Sequence, residues 1–158
     1  MIKLFFTDKE SVYKELESAI ARHICGSFVI QRTENGKPYI EGNPIYFSLS
    51  HSGGKAVIAL CDKPVGADME LFGNKKYKSV LSRFTENEQN EINGSEAGFL
   101  KNWTAKEAFI KMLGGTIAGY LKRLEYRDGQ IYLDKTPQNA NIYTHEYDFG
   151  IVTVCTRK

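Results

Sequence analysis

The sequence has few cysteines and no cysteine pair of the kind that forms a metal site or a disulfide framework. Its three cysteines, Cys25, Cys61 and Cys155, are far apart, and each lies among apolar or β-branched residues. An odd number without CxxC spacing is typical of reduced, structural thiols in a cytoplasmic protein. The N-terminal stretch carries Asp8 and no long apolar run, so we expect neither a signal peptide nor a membrane span.

The chain also has little net charge. A formal charge of +2 over 158 residues is too small to favour nucleic acid or an anionic membrane as a partner. Hydrophobic residues make up 42% of the chain and charged residues 25%, which is the ordinary balance of a globular protein. The length fits one compact unit, or two small halves packed together, with a core that needs no disulfides.

The hydrophobic pattern predicts an α+β fold with mostly antiparallel sheet. Apolar residues at every fourth position predict a helix over 9–24, with Asp8 as its N-cap. Thr85 and Glu88 form a capping-box pattern before a helix over 86–92. The strongest helical pattern covers 97–113, and a weaker one covers 75–83. Alternating or β-branched runs predict strands at 27–33, 45–50, 55–61, 65–70, 123–127, 130–133, 141–147 and 151–156.

Asp68 and Glu70 are the first candidate functional residues. On a strand, residues i and i+2 project from the same face, so both carboxylates point one way. Such a pair is often no more than the solvated face of a strand. The small or apolar residues at 65–67 favour a partly buried pair instead. Two anions held close together repel each other unless a hard cation lies between them.

Glu107 is the second candidate, because it occupies the middle of an apolar stripe on the strongest predicted helix. Lys111 lies one turn further along, on the same side. One interpretation is an ordinary i, i+4 pair between Glu107 and Lys111 at the edge of the stripe. The other is that Glu107 meets Asp68 and Glu70 across the interior. That would complete an all-oxygen site suited to magnesium.

A third cluster, at residues 48–54, brings hydroxyls, an imidazole and turn residues to the end of a predicted strand. Exposed backbone N–H groups in such a turn can hold phosphate oxygens. Gly36, Lys37 and Pro38 add a cation beside a rigid turn. Each piece is also consistent with an ordinary hairpin, and the P-loop spacing is missing. His23 and His145 have no such partners in the sequence, and we expect them to be structural.

Together, these segments resemble the 4'-phosphopantetheinyl transferases of the Sfp type. The most specific stretch is W-x-x-K-E-[AS]-x-x-K at 103–111, which accompanies G-K-P at 36–38, S-H-S at 50–52 and G-x-D-x-E at 66–70. The resemblance implies two pseudo-symmetric α/β halves with the site in the cleft between them. Residues 1–63 would form a reduced N-terminal half that binds the adenosine end of coenzyme A. Residues 64–158 would carry the metal and the catalytic residues.

The resemblance also implies an activity. Such enzymes move the 4'-phosphopantetheine arm of coenzyme A onto a serine of an apo acyl or peptidyl carrier protein, and they release adenosine 3',5'-bisphosphate. By resemblance, Asp68, Glu70 and Glu107 would bind Mg²⁺, and Glu107 would also take the proton from the carrier serine. The catalytic residues implied are Asp68, Glu107 and Lys111. The residues implied at the coenzyme A site are Gly36, Lys37, Pro38, Ser50, His51, Lys106 and Lys111, with the two last neutralising pyrophosphate charge.

The chain departs from the family pattern in ways that keep other functions open. Ala67 and Met69 stand where two large aliphatic residues are usual, and basic residues of the N-terminal half are missing unless Lys3 or Arg32 replaces them. One alternative is a degenerate module that binds coenzyme A or a carrier protein without transfer. A metal-dependent phosphohydrolase and a purely structural protein are the others. A monomer is expected, because the two halves are fused.

Overall fold

A computed structural model of the chain, which describes residues 1–42, 44–73 and 77–158, contains helices and mostly antiparallel strands. The first part of the chain contains β1 (Lys3–Asp8), α1 (Val12–Ala21), β2 (Ile30–Arg32), β3 (Pro38–Ile40), β4 (Tyr46–Ser52) and β5 (Lys55–Cys61). The second part begins with β6 (Val65–Leu71), α2 (Tyr77–Leu81), α3 (Glu86–Ile92), α4 (Glu96–Leu113) and α5 (Ile117–Tyr120). It ends with β7 (Leu124–Arg127), β8 (Gln130–Leu133), β9 (Thr136–Pro137), β10 (Ala140–Tyr147) and β11 (Gly150–Arg157). None of the helices described is long and apolar enough to span a membrane.

Two three-stranded antiparallel sheets form the body of the fold. β5 lies between β1 and β4 in the first sheet, and β11 lies between β6 and β10 in the second. In the first sheet, β5 pairs with β1 and forms a hairpin with β4. In the second sheet, β11 pairs in the same way with β6 and forms a hairpin with β10. Helices and antiparallel sheet therefore coexist, and the predicted α+β class is confirmed.

α1 covers one face of the first sheet. Val12, Leu16, Ala19 and Ile20 recur at helical spacing and are buried. They pack in one apolar cluster with side chains of β4 and β5. Burying a large aliphatic side chain stabilises the fold by about 1.5–3 kcal/mol. This helix therefore fixes the sheet that ends in β4.

α4 lies directly on β6, because Gly66 leaves no side chain between the helix and the strand. A Cβ atom at Gly66 would stand 1.9 Å from the carbonyl oxygen of Ala108. In the same interface, the Oγ1 atoms of Thr104 and Thr153 form a buried hydrogen bond of 2.7 Å between α4 and β11. Side chains alternate along a strand, so α4 covers the face of β6 from which its acidic side chains project.

The two sheets meet where β4 lies beside β6, and serine side chains make the contact. Ser48 Oγ accepts a hydrogen bond from the Ala67 amide at 2.9 Å, and Ser52 Oγ accepts one from the Leu71 amide at 3.3 Å. The numbering rises on both strands, so β4 and β6 run in the same direction. We call Ser48, Ser50 and Ser52 the serine seam.

The first helix is shorter than its sequence pattern predicts. Residues 3–8 form β1, Lys9–Ser11 is a 3₁₀ turn, and α1 begins at Val12. Asp8 is the N-cap residue of that 3₁₀ turn, as predicted, but its side chain makes no capping hydrogen bond. β1 escaped prediction because an edge strand is stabilised by its ladder to β5, which is distant in sequence.

Other boundaries also moved. The strand predicted at 27–33 is reduced to Ile30–Arg32, and β3 and β9 were not predicted. Residues 75 and 76 of the weak helix predicted at 75–83 lie outside the described residues, and α2 covers Tyr77–Leu81. The capping box of Thr85 and Glu88 is confirmed in both of its hydrogen bonds.

The described thiols are all free. Cys61 and Cys155 are buried, and burial raises the pKa of Cys155 to about 12, which keeps it an unreactive thiol. Cys25 is exposed, so the prediction of a structural role does not hold for it.

A buried ion pair fixes α3 against α4. Lys106 Nζ lies 2.5 Å from Glu88 Oε1, and the two side chains are 1% and 0% exposed. Glu88 also accepts hydrogen bonds from the backbone amides of Thr85 and Tyr126. Lys106 Nζ stands 4.1 Å from the centroid of the Phe84 ring. Burial lowers the pKa of Lys106, and the negative charge of Glu88 opposes that shift.

Lys106→Met should destabilise the fold, because Glu88 would remain buried without its counter-charge. Breaking such a pair costs about 3–5 kcal/mol, and thermal unfolding should show a large fall in Tm. Lys101→Met is the control, because its partner Glu146 is half exposed and such pairs contribute at most about 1 kcal/mol. The double variant Lys106→Met, Glu88→Gln should regain much of the loss. A parental Tm for Lys106→Met would show that the pair does not stabilise the fold.

Candidate active site

Three carboxylates and a lysine converge between β6 and α4. Asp68 and Glu70 project from β6, and Glu107 and Lys111 project from the helix packed on it. Asp68 is 4% exposed and Glu107 9%, whereas Glu70 is only partly buried. Glu107 interacts electrostatically with each of the other three. We call these four residues the acid cluster.

One oxygen of Asp68 is saturated and the other has no partner. Ser50 Oγ and Lys111 Nζ each donate a hydrogen bond of 2.7 Å to Asp68 Oδ1. Asp68 Oδ2 is buried and accepts no hydrogen bond from any residue that the structure describes. A buried carboxylate oxygen without a partner is costly. Lys111 therefore pairs with Asp68 across the interface, and the predicted alternative of an i, i+4 pair with Glu107 is not what the structure contains.

A hydroxyl of β4 holds Glu70. Ser52 Oγ donates to Glu70 Oε2 at 2.8 Å, and a weaker interaction with the Trp103 side chain favours the charged form of the carboxyl group. The Trp103 ring stacks on Phe84 and Phe99, with centroids 6.4 and 6.1 Å away. Burial raises the pKa of Glu70, and the Ser52 hydrogen bond opposes the shift. The orientation of this carboxylate is therefore fixed by Ser52 of β4.

Glu107 has the most perturbed ionisation in the cluster. Burial raises its pKa to about 7, repulsion from Asp68 and Glu70 adds to the shift, and Lys111 opposes it. Among the described residues the Glu107 carboxylate has no hydrogen-bond donor that would stabilise its charge. A carboxylate with such a pKa is a stronger base than an ordinary glutamate near neutral pH.

The acid cluster has the donor chemistry that a hard divalent cation takes, since every acidic ligand atom is oxygen. In the described parts of the chain, no group of three or more His, Cys, Asp or Glu side chains lies in a metal-ligating arrangement. The free Oδ2 of Asp68 and the repulsion at Glu107 would nevertheless both be relieved by added positive charge. The residues present therefore fit Mg²⁺ by their chemistry.

An open groove of about 240 Å³ runs beside the acid cluster. Lys111 lines it from α4, and residues of the first part of the chain line the other side, namely Arg32, Asn35, Gly36, Lys37 and Pro38. Asn35 Nδ2 donates to the carbonyl oxygen of Gly114 at 2.9 Å, which ties this loop to the end of α4. Gly36, Lys37 and Pro38, predicted from the sequence as one site, are thus brought together with Lys111.

Lys37 contributes to the groove differently from the prediction. Its Nζ donates to the carbonyl oxygens of Val65 at 3.2 Å and Met112 at 3.0 Å. Burial lowers its pKa to about 8. The ammonium group thus links the start of β6 to the end of α4. The carbon stem of Lys37 lines the groove.

Two further predictions need correction. Lys106 was predicted beside pyrophosphate, but it is paired with Glu88; at 100° per residue it lies about 140° around the helix from Lys111. Ser50 was predicted beside His51 in one adenosine site, but consecutive strand residues face opposite ways. Ser50 is buried against Asp68, while His51 is exposed.

Sequence reasoning missed two members of the site. Ser52 was included in the cluster at 48–54 and in the S-H-S motif but given no partner, although its i+2 spacing from Ser50 places both hydroxyls on one face of β4. Trp103 begins the motif at 103–111 but was given no role, although it lies one helical turn before Glu107 on the same side. The strand alternation could have found Ser52. No local pattern indicates the contact between Trp103 and Glu70.

The chain is similar in sequence to known proteins. A sequence model of the 4'-phosphopantetheinyl transferase superfamily matches residues 64–153, which include the whole acid cluster. The 4'-phosphopantetheinyl transferase psf-1 of Bacillus pumilus is 35% identical over 150 residues, covering 82% of this chain and 61% of that protein. The 4'-phosphopantetheinyl transferase gsp of Aneurinibacillus migulanus is 33% identical over 122 residues, covering 74% of this chain and 48% of that protein.

A 4'-phosphopantetheinyl transferase of Bacillus subtilis is 29% identical over 131 residues, covering 77% of this chain and 58% of that protein. The chain thus spans about half to three-fifths of the length of these curated relatives. Since the superfamily match covers more than half of the residues and contains the acid cluster, this chain belongs to the 4'-phosphopantetheinyl transferase superfamily.

Proposed function

We propose that this chain transfers the 4'-phosphopantetheine arm of coenzyme A to a serine hydroxyl of an apo acyl or peptidyl carrier protein. Adenosine 3',5'-bisphosphate is the second product. The observation that carries the proposal is the acid cluster. There a buried glutamate with a pKa of about 7 adjoins two further carboxylates, beside a groove lined by Lys111.

The residues of the acid cluster divide the work. Asp68, Glu70 and Glu107 would hold Mg²⁺, which when bound supplies positive charge to the pyrophosphate of coenzyme A. Lys111, 30% exposed and paired with Asp68, adds positive charge at the groove. Glu107 accepts the proton of the carrier serine, because a serine hydroxyl is a poor nucleophile without a base. The serine oxygen then bonds to the phosphorus that carries the pantetheine arm. The bond from that phosphorus to the leaving adenosine 3',5'-bisphosphate breaks.

The groove would receive the adenosine end of coenzyme A against Gly36, Pro38 and the stem of Lys37. His51 is exposed on β4 and is the proposed contact of the 3'-phosphate. We further propose that residues 1–63 and 64–158 are pseudo-symmetric halves and that the protein is a cytoplasmic monomer. The matching strand orders, β1-β5-β4 and β6-β11-β10, support the proposal of related halves.

Incubation with coenzyme A and Mg²⁺ should add a phosphopantetheine group to apo carrier proteins, as measured by intact-protein mass spectrometry. Glu107→Ala should lower the rate by about 10²–10⁴-fold, because the base is lost. Glu146→Ala, at a half-exposed surface glutamate, is the control. Calorimetry with coenzyme A completes the test. Binding without transfer, across a panel of acyl and peptidyl carriers, would indicate the non-catalytic binding module instead.

The contribution of Glu107 to the stability of the metal-free protein should fall as pH rises from about 4.5 to 7. The folded pKa of Glu107, about 7, lies above the ordinary 4.5, so folding favours the protonated carboxyl. This contribution is therefore greatest below pH 4.5 and lowest above pH 7. Glu107→Gln removes this pH-dependent contribution. In EDTA, the free energy of unfolding of the variant, measured with urea, should exceed that of the parent by more at pH 8 than at pH 5. The difference between the two pH values should be on the order of 2 kcal/mol.

Added MgCl₂ at pH 8 should then stabilise the parent much more than Glu107→Gln, because the cation relieves the repulsion that the variant lacks. Glu146→Gln serves as the surface control and should respond like the parent. Equal pH profiles for the parent and Glu107→Gln would contradict the raised pKa. Equal responses to MgCl₂ would remove Glu107 from the proposed ligands.

A further inference from the structure

The three serines of the serine seam join the two sheets through different hydrogen-bond partners. Ser48 Oγ contacts a backbone amide, that of Ala67. Ser50 Oγ contacts a carboxylate, that of Asp68. Ser52 Oγ contacts both a backbone amide and a carboxylate, those of Leu71 and Glu70. Two of the three hydroxyls thus reach the acidic side chains of β6.

The direction of the Ser52 hydrogen bond is fixed by its neighbours. The Leu71 amide can only donate, so it occupies a lone pair of Ser52 Oγ. An ionised glutamate can only accept, so the single hydroxyl proton of Ser52 goes to Glu70 Oε2. The backbone of β6 thereby orients a hydroxyl of β4, and that hydroxyl orients a carboxylate of β6.

The Ser50 hydrogen bond selects one oxygen of Asp68. Ser50 and Lys111 both donate to Oδ1, which leaves Oδ2 buried and without a donor among the described residues. Ser50 itself is 6% exposed, so water does not readily replace its hydroxyl. The rotation of the Asp68 carboxylate is thus set, and its unpaired oxygen, Oδ2, is the atom left to contact a cation.

We infer that Ser50 and Ser52 are positioning residues, which hold the Asp68 and Glu70 carboxylates in the orientation that binds a divalent cation. The inference rests on the proposed function, since it concerns the same cation. It also replaces the predicted contact of Ser50 with the adenosine end of coenzyme A. Hydrogen bonds to ligating carboxylates typically change metal affinity or activity by about 10–100-fold.

Titration of the chain with MgCl₂ alone, followed by calorimetry, tests this inference without any turnover. Ser50→Ala and Ser52→Ala should each weaken Mg²⁺ binding by about 10–100-fold. Ser52→Thr keeps the hydroxyl at a partly exposed position and should bind Mg²⁺ as the parent does. Ser48→Ala is the matched control: it removes a seam hydrogen bond to a backbone amide, so it should lower Tm while leaving Mg²⁺ affinity at the parental value. Circular dichroism confirms that each variant is folded.

Transfer kinetics separate positioning from substrate binding. A positioning role predicts that Ser50→Ala lowers kcat and raises the Mg²⁺ concentration needed for half-maximal rate, with the KM for coenzyme A unchanged. A rise in that KM alone would return Ser50 to the adenosine site and overturn the inference.

Two calorimetric outcomes would also overturn it. One is parental Mg²⁺ affinity in both Ser50→Ala and Ser52→Ala. The other is an equal loss in Ser48→Ala, because the cause would then be a loosened seam. Failure of the proposed function looks different, since the parent itself would then neither bind Mg²⁺ nor modify a carrier protein.

Discussion

Burial of the Glu107 carboxylate beside the carboxylates of Asp68 and Glu70 is the constraint on which the rest of this site depends. Gly66 allows α4 to approach β6 so closely that an added Cβ would stand 1.9 Å from a helix carbonyl. That approach buries Glu107 against the acids of the strand. Burial raises the pKa of Glu107 to about 7, and repulsion from the like charges of Asp68 and Glu70 adds to the shift. The close packing of helix on strand therefore creates the chemistry of the site.

The geometry of α4 explains why neighbouring residues of one motif have unrelated roles. Glu107 and Lys111 are four residues apart and lie within about 40° of each other around the helix. Both therefore face β6. Lys106 lies about 140° from Lys111, faces α3 and is paired with Glu88 at 0% exposure. One lysine of the motif holds the helix in place, and the other supplies charge at the groove. The fixed helix is what keeps Glu107 against Asp68.

The sequence was informative wherever local periodicity governs the structure. Strand alternation predicted that Asp68 and Glu70 share a face, and helical spacing placed Glu107 and Lys111 on one side of α4. Local periodicity could not predict which residue pairs with each charged side chain. Nothing local distinguishes Lys106, which binds Glu88, from Lys111, which binds Asp68, because both pairs form between elements distant in sequence. The edge strand β1 escaped prediction for the same reason, since its ladder is to β5.

The contact between β4 and β6 shows how the first part of the chain shapes the acid cluster, whose four residues all lie in the second part. A backbone ladder between these strands would satisfy their amides and carbonyls with each other, about 4.8 Å apart. The seryl hydroxyls of β4 would then accept no hydrogen bonds from the amides of β6. In the seam, the amides of Ala67 and Leu71 donate to seryl oxygens instead. Ser52, whose lone pair is occupied in this way, can only direct its proton toward Glu70. Joining the sheets through side chains therefore ties the position of β4 to the orientation of the acidic side chains of β6.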